Sequence, residues 1–440
     1  MTLLLKHATV FRGNSQPPSR SDVLIKNNII VKIAPNIILP CTSADAYIVM
    51  CEGLYLLPGL VDAHVHFREP GQEEKEDIRS GSLSAVAGGY TSVIAEPNTS
   101  PPIDTPHRLK KLLKLAKDKS IVHFFSKSAI TIGQKGYRLA NLEELKKAGA
   151  VAFSDDGNPV PYDRLMRDAL KLSAKLNIPV TPHCEESNYF IEHHLKKCRL
   201  YERTTAYSAE PFFVKRDIEL SRYTEGHLHI SHVSMAETAN LIRAAKKHGI
   251  NVTAEVTPHH LILTSDDAHK LGPVAKVNPP LRTARDISEL KQAVVDGTID
   301  IIASDHAPHT PLEKQLSWEQ APFGVIGLET TFALVMTYLV HPGIISMTRA
   351  VDMLSSIPAR IFRLDKYGIG SLKENGRADL TIVDPERKWI VDANKFMSKA
   401  RNSPFQGWEL RGKVVATIVN GIVVFTDGSI RNLPMTPELH

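Results

Sequence analysis

Residues 57–68 carry the residue types and the spacing of a metal site. The stretch reads Leu-Pro-Gly-Leu-Val-Asp-Ala-His-Val-His-Phe-Arg and places His64 and His66 two residues apart. Because side chains alternate along a strand, both imidazoles point to one side, about 6.5–7 Å apart. Two imidazoles at one strand end can bind a metal ion and leave its other coordination positions open. The alternative is a half-buried strand with two hydrogen-bonded histidines, so the choice depends on whether further ligands follow.

Further histidines and carboxylates do follow, each after a later apolar segment. The segments end in Glu96-Pro97-Asn98-Thr99, Ser154-Asp155-Asp156-Gly157, Pro182-His183-Cys184, Ile230-Ser231-His232 and Ser304-Asp305-His306-Ala307-Pro308-His309. Four histidines and two aspartates offer nitrogen and oxygen ligands without a thiolate, which suits Zn²⁺ best and also accommodates Mn²⁺ or Co²⁺. Six ligands exceed the needs of one open catalytic ion, whereas two ions can share a carboxylate and a hydroxide. We therefore expect one or two Zn²⁺ per chain and favour two.

The elements that position these residues alternate between strand and helix. Strands are predicted at residues 56–60, 91–95, 121–125, 150–153, 178–181, 228–231, 252–256 and 301–304. Amphipathic helical segments lie between them, for example at 106–119, 163–176 and 236–248. Eight such repeats predict an α/β fold, a (β/α)8 TIM-type barrel with its active site at the carboxyl ends of the strands. A doubly wound sheet is the alternative, but no Gly-x-Gly-x-x-Gly follows an early strand.

The two ends of the chain have a different pattern from its middle. Short apolar bursts separated by Asn and Gly turns occupy residues 1–55, as in a small antiparallel sheet. Similar bursts return at 378–383, 414–419 and 422–425, and Asn420-Gly421 between the last two is a strong hairpin signal. We therefore predict a small β-sandwich domain from residues 1–55 plus 366–440, and a catalytic barrel domain from residues 56–365.

Composition limits the class of protein. The 440 residues are 42% hydrophobic and 23% charged, and the formal net charge of +5 is too weak and dispersed to indicate a nucleic-acid partner. No apolar run approaches the roughly eighteen residues of a membrane span, and residues 1–6 are too short for a signal peptide. The chain has only four cysteines and no Cys-x-x-Cys pair, and this scarcity in a long chain indicates a reducing compartment without a disulfide framework: Cys41, Cys51, Cys184 and Cys198. We expect a cytoplasmic protein with a small-molecule substrate.

Several segments together resemble the dihydroorotases of the larger bacterial class, within the amidohydrolase superfamily. They are Pro58-Gly59-Leu60-Val61-Asp62-Ala63-His64-Val65-His66-Phe67-Arg68-Glu69-Pro70-Gly71, Pro97-Asn98-Thr99, Phe153-Ser154-Asp155-Asp156-Gly157, Asn278-Pro279-Pro280-Leu281-Arg282, Asp305-His306-Ala307-Pro308-His309 and Pro322-Phe323-Gly324. The resemblance extends nearly from end to end of the chain. It implies reversible cyclisation of N-carbamoyl-L-aspartate to L-dihydroorotate in pyrimidine synthesis. In the ring-opening direction, metal-bound hydroxide attacks the ring amide.

The resemblance also implies a role for individual residues. The implied metal ligands are His64, His66, His183, His232 and Asp305, and Asp305 is also the implied proton shuttle. The substrate carboxylate would be held by Arg68, Asn98 and His309. The substrate ring would lie near Asn278 and the backbone of Pro322, Phe323 and Gly324.

The sequence departs from many members of the superfamily on the fourth predicted strand. Those relatives bridge their metals with a carboxylated Lys, whereas residues 150–156 contain none. A subgroup with Asp-Asp-Gly uses an Asp, which by resemblance is Asp156 in preference to Asp155. Because Asp is shorter than a carboxylated Lys, the second metal could be held less tightly.

Rival functions and partners follow from the same resemblance. Hydantoinases and allantoinases share the barrel, but they usually carry the bridging Lys and need no Arg for a ring carboxylate. A non-catalytic subunit that only scaffolds aspartate carbamoyltransferase would have lost metal ligands, whereas the full set is present here. A homodimer and an active subunit that associates with aspartate carbamoyltransferase both remain open. Among other histidines, His229 is expected to face the helices.

Overall fold

The computed structural model describes residues 2–39, 46–185 and 209–434 as a mixed α/β structure. The strands are β1 Thr2–Val10, β2 Ser19–Lys26, β3 Ile29–Ala34, β4 Ala46–Met50, β5 Tyr55–Pro58, β6 Leu60–Val65, β7 Tyr90–Ala95, β8 His123–Ser126, β9 Leu228–Ile230, β10 Val252–Val256, β11 Ile301–Ile302, β12 Leu380–Ile390, β13 Glu409–Val419 and β14 Ile422–Thr426. The α-helices are Ile78–Ala87, Pro106–Lys119, Leu142–Ala148, Asp163–Leu176, Ala209–Thr224, Ala236–Lys247, Pro258–Ile262, Ser265–Leu271, Ala284–Val295, Pro311–Lys314, Leu328–Val335, Met347–Val351 and Ile357–Ile361.

Strands from both ends of the chain form one sheet. Its order is β14-β13-β12-β5-β1-β2-β3, and β4 also pairs with β1. The prediction of a purely antiparallel arrangement is wrong, because β4 and β5 both run parallel to β1. They share one edge of that strand, β4 beside residues 2–6 and β5 beside residues 9–10. The predicted hairpin joins β13 to β14, and Asn420 and Gly421 both have positive φ, as a two-residue turn of this kind requires.

The middle of the chain contains two three-stranded parallel sheets. One has the order β6-β7-β8 and the other β11-β10-β9. Single residue pairs link them on both sides: Ser128 with Phe153, Phe153 with Val180, Val180 with Leu228, and Val65 with His306. The two sheets are therefore connected at both of their edges through parallel bridges.

Three of the eight predicted strands are much shorter than expected. The fourth and fifth are reduced to the bridges at Phe153 and Val180, and the eighth is the two-residue β11. Just after the bridge at Phe153, the Asp155 carboxylate accepts from the N–H groups of Ile130 and Thr131, at 2.8 and 3.0 Å. The chain therefore turns at the residues predicted to do chemistry, with a side chain bound to the neighbouring loop.

The predicted helices form where their apolar faces meet the core. The helix Pro106–Lys119 has the predicted bounds, begins after Thr105, whose hydroxyl accepts from the N–H of Arg108, and buries Leu109 and Leu112. The helix Asp163–Leu176 also has the predicted bounds. Within the described ranges, every helix is too short or too polar to cross a membrane. Cys51 and Cys184 are buried free thiols, whereas the other two cysteines lie outside the described residues.

Candidate active site

The predicted metal ligands converge where the parallel strands end. His64 lies in β6 and His66 directly after it, while the remaining four follow the bridge at 153, the bridge at 180, β9 and β11: Asp156, His183, His232 and Asp305. All six side chains are buried. Two sets of three offer donor atoms within 4.8 Å of one another. We call His64, His66 and Asp156 the first cation group, and Asp156, His183 and His232 the second cation group.

The donor atoms are spaced as the ligands of shared ions would be. His64 Nε2 is 3.5 Å from Asp156 Oδ1, and the nearest imidazole nitrogens of His183 and His232 are each 3.4 Å from the same oxygen. Asp305 Oδ1 lies 3.0 Å from His66 Nε2. Ligands about 2.0–2.2 Å from a tetrahedral Zn²⁺ are about 3.3–3.6 Å apart, so most of these separations fit. Asp156 is the residue that the two groups share.

The charge states of the carboxyl groups also suit a cation. Burial alone would raise the pKa of Asp156, but His64, His183 and His232 outweigh it and hold that pKa well below its usual range. The pKa of Asp305 is likewise lowered, because His64 and His66 outweigh burial. Both carboxyl groups are therefore ionised. His64 Nε2 is buried and has no hydrogen-bond partner among the described residues, so a donor atom is left free toward these carboxylates.

A chain of buried polar residues fixes the orientation of His64. Its Nδ1 is 2.6 Å from Glu255 Oε1 in β10, and the other oxygen of Glu255 is 3.1 Å from His229 Nε2. The second nitrogen of His229 is 2.8 Å from the hydroxyl of Thr253. A carboxylate on the far nitrogen fixes the ring and the tautomer of a metal-binding histidine. The expectation that His229 faces the helices is therefore wrong. Glu255 was not predicted as part of the site, although a Glu inside an apolar strand could have identified it.

The two adjacent aspartates after the bridge at 153 point in different directions. Asp155 accepts from Ile130 N, Thr131 N and the Thr131 hydroxyl, and it belongs to neither cation group. Burial raises the pKa of Asp155 to about 7. Asp156 instead faces the histidines. The arrangement gives Asp155 a part in holding the loop at residues 130–131 and Asp156 a part in the cation groups.

A cavity of about 160 Å³ opens beside the cation groups. The predicted substrate residues that line it are Arg68, Asn98, Asn278, Phe323 and Gly324. Pro322 and His309 are outside this lining, although His309 Nε2 is 2.7 Å from the carbonyl oxygen of Phe323. The cation ligands are buried, whereas Arg68 and Asn98 are only partly buried and Phe323 is 49% exposed. The cavity therefore runs from an exposed mouth to a buried floor.

Arg68 places a positive charge in this cavity. Its Nε donates to the carbonyl oxygen of Pro308 at 3.2 Å, and its Nη2 is 3.3 Å from His309 Nε2. Across residues 2–39, 46–185 and 209–434, no carboxylate lies within ion-pair distance of the guanidinium. Glu69 pairs with Lys119, and Glu73 accepts from the N–H of Gly71. Burial lowers the pKa of Arg68 only to about 10, so it remains a cation at neutral pH.

Two amide side chains connect the cavity wall to the cation ligands. Asn98 Oδ1 is 3.0 Å from His66 Nδ1, and its Nδ2 donates to Asp156 Oδ2 at 3.1 Å. Asn278 Nδ2 is 3.0 Å from His183 Nε2. Both residues therefore hold ligand side chains in place, in addition to lining the cavity.

Two buried lysines hold segment 322–324 against the cavity. Lys314 Nζ donates to the carbonyl oxygens of Pro322 and Gly324, both at 2.9 Å. Lys276 Nζ donates to the carbonyl oxygen of Ala321 at 2.8 Å and lies 4.5 Å from the centre of the Phe323 ring. Burial lowers the pKa of Lys314 to about 7. The position of this wall therefore depends on ammonium groups that the sequence patterns did not single out.

Comparison with known proteins identifies the family. The family model described as the amidohydrolase family matches residues 55–424. The chain is 41% identical to the dihydroorotase of Acetivibrio thermocellus over 96% of this chain and 98% of that protein. It is 42% identical to the dihydroorotase of Bacillus cytotoxicus, over 92% and 94% of the two chains. Among solved structures it resembles the L-hydantoinase (dihydropyrimidinase) of Arthrobacter aurescens, with a TM-score of 0.86, 27% identity and 97% of both chains covered. The chain belongs to the amidohydrolase family.

Proposed function

We propose that this chain is a dihydroorotase, a metal-dependent cyclic amidohydrolase that interconverts N-carbamoyl-L-aspartate and L-dihydroorotate. The observation that carries the proposal is the guanidinium of Arg68, which has no carboxylate partner among the described residues and lies in the cavity beside the cation groups. A cation in that position matches the ring carboxylate that distinguishes dihydroorotate from an uncharged dihydropyrimidine. The identity of 41–42% to proteins named dihydroorotase supports the same reaction.

We further propose that the parallel strands of the middle region form a (β/α)8 barrel. The bridges from residue 128 to 153, 180 and 228, and from 65 to 306, support an order of eight parallel segments that returns to its start. The proposed catalytic domain covers residues 56–365. The proposed small β-sandwich domain covers residues 1–55 and 366–440. One sheet with strands from both chain ends supports a shared terminal domain, and its strand β5 extends three residues past the proposed boundary, to Pro58.

Two cations, Zn²⁺ in our proposal, would be held by the six buried ligands. His64 and His66 would hold one, His183 and His232 the other, Asp156 would bridge them, and Asp305 would contribute beside His66. When bound, such cations lower the pKa of a water molecule and polarise a carbonyl oxygen. The ionised carboxyl groups and the absence of thiolate from both groups support an ion that accepts nitrogen and oxygen donors.

Asp305 is the proposed proton carrier. Its side chain lines the cavity and lies beside the ligands, so it can contact both an attacking water and the ring nitrogen. In ring opening, a carboxylate oxygen of Asp305 takes a proton from the attacking water. It then returns this proton to the ring nitrogen as the amide C–N bond breaks. Ring closure follows the same path in reverse.

The substrate carboxylate is proposed to bind Arg68, with Asn98 and His309 completing the site. Arg68 Nη2 and His309 Nε2 are 3.3 Å apart, so His309 lies beside the guanidinium, with its Nε2–H donating to the carbonyl oxygen of Phe323. Asn278 and segment 322–324 would face the ring from the opposite wall of the cavity. Because a guanidinium matches a carboxylate in a two-pronged geometry, this arrangement selects for an acidic ring substituent.

A hydantoinase or dihydropyrimidinase activity is the second candidate, favoured by the similarity to the Arthrobacter L-hydantoinase. Such a substrate has no carboxylate for Arg68 to bind. The discriminating experiment compares kcat/KM of the purified protein for dihydroorotate, dihydrouracil and hydantoin. We expect kcat/KM for dihydroorotate to exceed that for the uncharged rings by at least about 30-fold. This factor corresponds to the lower estimate for the loss of one partner of a desolvated charge pair, about 30-fold. Equal or higher efficiency on an uncharged ring would favour the second candidate.

Apart from the substrate, the binding partners and the cellular location stay predictions. A homodimer and an association with aspartate carbamoyltransferase are both compatible with an active site made from one chain. A non-catalytic scaffold is disfavoured, because all six ligands converge. A cytoplasmic location continues to rest on the scarcity of cysteine.

A further inference from the structure

A buried ion pair lies at the base of the candidate active site. Glu96 directly follows β7 and Lys127 directly follows β8, and the two neighbouring strands bring their side chains together. Lys127 Nζ contacts Glu96 Oε1, and both side chains are completely inaccessible to solvent. Fully buried Lys and Glu are rare in proteins because removing each charge from water is costly. Neither residue has a part in the function proposed above.

The pair lies beside His64, a member of the first cation group. Glu96 Oε1 lies 3.6 Å from His64 Nε2, the nitrogen that also faces Asp156 and Asp305 at 3.5 and 3.6 Å. Glu96 Oε1 and Lys127 Nζ contact each other, whereas His64 Nε2 and Glu96 Oε2 are buried without a hydrogen-bond partner among the described residues. Buried polar atoms normally have such partners, so two without one beside the first cation group are unusual.

Lys127 keeps its charge beside the carboxylate of Glu96. Burial by itself would lower the pKa of Lys127, but the carboxylates of Glu96 and Glu255 outweigh burial and hold that pKa above its ordinary value. The net charge of the pair is therefore zero. Each member alone would act strongly on a cation bound at His64, since charges in a buried site are weakly screened.

We propose that Glu96 and Lys127 form a charge-balanced pair that sets how tightly the first cation group binds its cation. The Glu96 carboxylate attracts a cation toward His64, and the Lys127 ammonium opposes this attraction. Together they place two charges near the ligands without adding net charge to them. The inference rests on the proposed function, because it requires a cation at the first group.

The proposal predicts changes of opposite sign for the two single variants. Glu96→Gln leaves the ammonium unopposed and should weaken Zn²⁺ binding at one site by at least about tenfold. Lys127→Met leaves the carboxylate unopposed and should strengthen binding at that site by at least about tenfold. The double variant with both changes restores a neutral pair, so its affinity should lie within about threefold of the unchanged protein.

The experiment measures Zn²⁺ binding to the full-length protein after its metal has been removed. Competition with a chromophoric chelator gives the affinity and the number of sites, and circular dichroism with thermal unfolding checks the fold of each variant. Lys246→Met is the matched control, because it breaks the pair of Lys246 with Asp300 beside the opposite ends of the strands. That control should leave both Zn²⁺ affinities within about threefold.

Two results would overturn the proposal. One is a shift of both single variants in the same direction, as a merely structural pair would give. The other is an affinity within threefold of the unchanged protein in both. If a single variant does not fold, the exchanged variant Glu96→Lys with Lys127→Glu keeps a pair but puts the ammonium beside His64. It should bind Zn²⁺ at least about tenfold more weakly, and equal affinity would contradict us.

Failure of the proposed function gives a different result. If the protein binds Zn²⁺ with the predicted opposite shifts but does not turn over dihydroorotate, the substrate assignment fails and the charge-balanced pair stands. If the unchanged protein binds no Zn²⁺ at all, both proposals fail.

Discussion

Replacing Arg68 by Met tests the basis of the substrate assignment. Met is of similar length and keeps apolar packing, but it removes the only positive charge proposed to face the substrate carboxylate. Within the described residues, the guanidinium has hydrogen-bond contacts to Pro308 O and His309 Nε2, and neither of these atoms carries a negative charge. The cation ligands do not contact Arg68, so the loss should leave metal content unchanged.

The magnitude follows from the pairing that the substrate would make. Arg68 is partly buried, and a bound carboxylate would be its counter-charge inside the cavity. Removing one partner of a desolvated, hydrogen-bonded charge pair costs about 2–5 kcal/mol. At about 1.4 kcal/mol for each factor of ten, kcat/KM for dihydroorotate should fall by about 30-fold to several thousand-fold. Arg68→Lys keeps the charge but loses the two-pronged geometry, so its kcat/KM for dihydroorotate should lie between the values of the unchanged enzyme and of Arg68→Met.

The assay measures kcat/KM on dihydroorotate and on dihydrouracil, together with metal content. Dihydrouracil lacks the carboxylate, so Arg68→Met should not reduce its turnover. Arg20→Met is the control, since the Arg20 side chain is 69% exposed and pairs with Glu52 on the surface. Equal losses on both substrates would refute the reasoning, because Arg68 would then support the site in general and not the carboxylate.

Four further predictions address the ligands and the cavity wall. Asp305→Asn should keep most of its metal and lose about 10²–10⁴-fold in kcat, and a value within threefold of the unchanged enzyme would exclude a proton carrier. Asp156→Ala should lower Zn²⁺ occupancy by metal analysis while Asp155→Ala leaves it unchanged, and the reverse order would make Asp155 the bridge. Lys314→Met should raise KM more than it lowers kcat, since it releases the 322–324 carbonyls, and unchanged KM would contradict this. Because the pKa of Lys314 is lowered from 10.5 to about 7, the folded protein binds fewer protons than the unfolded one between these values. The free energy of unfolding should therefore rise with pH over this range, and Lys314 should contribute at most about 1.4 kcal/mol per pH unit. Urea titrations at several pH values should give a shallower rise for Lys314→Met.

The convergence of most of the candidate ligands could be predicted because strand ends follow from local pattern. His64 and His66 are two residues apart after an apolar run, and alternation alone places them on one side. The helix Pro106–Lys119 was predicted with its bounds, since a Thr at the N-cap, a Pro at the first position and an apolar face agree there. These features depend on near neighbours in the chain, which the sequence displays directly.

Features that depend on distant residues could not be predicted in the same way. Glu255 contacts His64 across 191 positions of the chain, and no local pattern connects them. Alternation predicted that His229 faces the helices, but its Nε2 contacts Glu255, which also contacts His64. The choice of Asp156 over Asp155 came from family resemblance, because two adjacent residues at a turn have no periodicity to separate them.

The lengths of the central strands could not be predicted from the hydrophobic pattern either. Residues 150–153 and 178–181 are apolar enough for strands, yet only Phe153 and Val180 form bridges. Just beyond Phe153, the Asp155 carboxylate takes the backbone donors of residues 130 and 131 in the neighbouring loop. Competition between a side chain and a ladder is decided by three-dimensional proximity, which hydrophobic alternation does not encode.

The most direct test of the account is one assay of the purified full-length protein with dihydroorotate, before and after its metal is removed. We expect ring opening to N-carbamoyl-aspartate in a preparation that contains one to two equivalents of Zn²⁺ or a similar ion, loss of turnover after prolonged chelation, and recovery when Zn²⁺ is added back. Full activity of a metal-free preparation, or no turnover of dihydroorotate by a protein loaded with two equivalents, would contradict it.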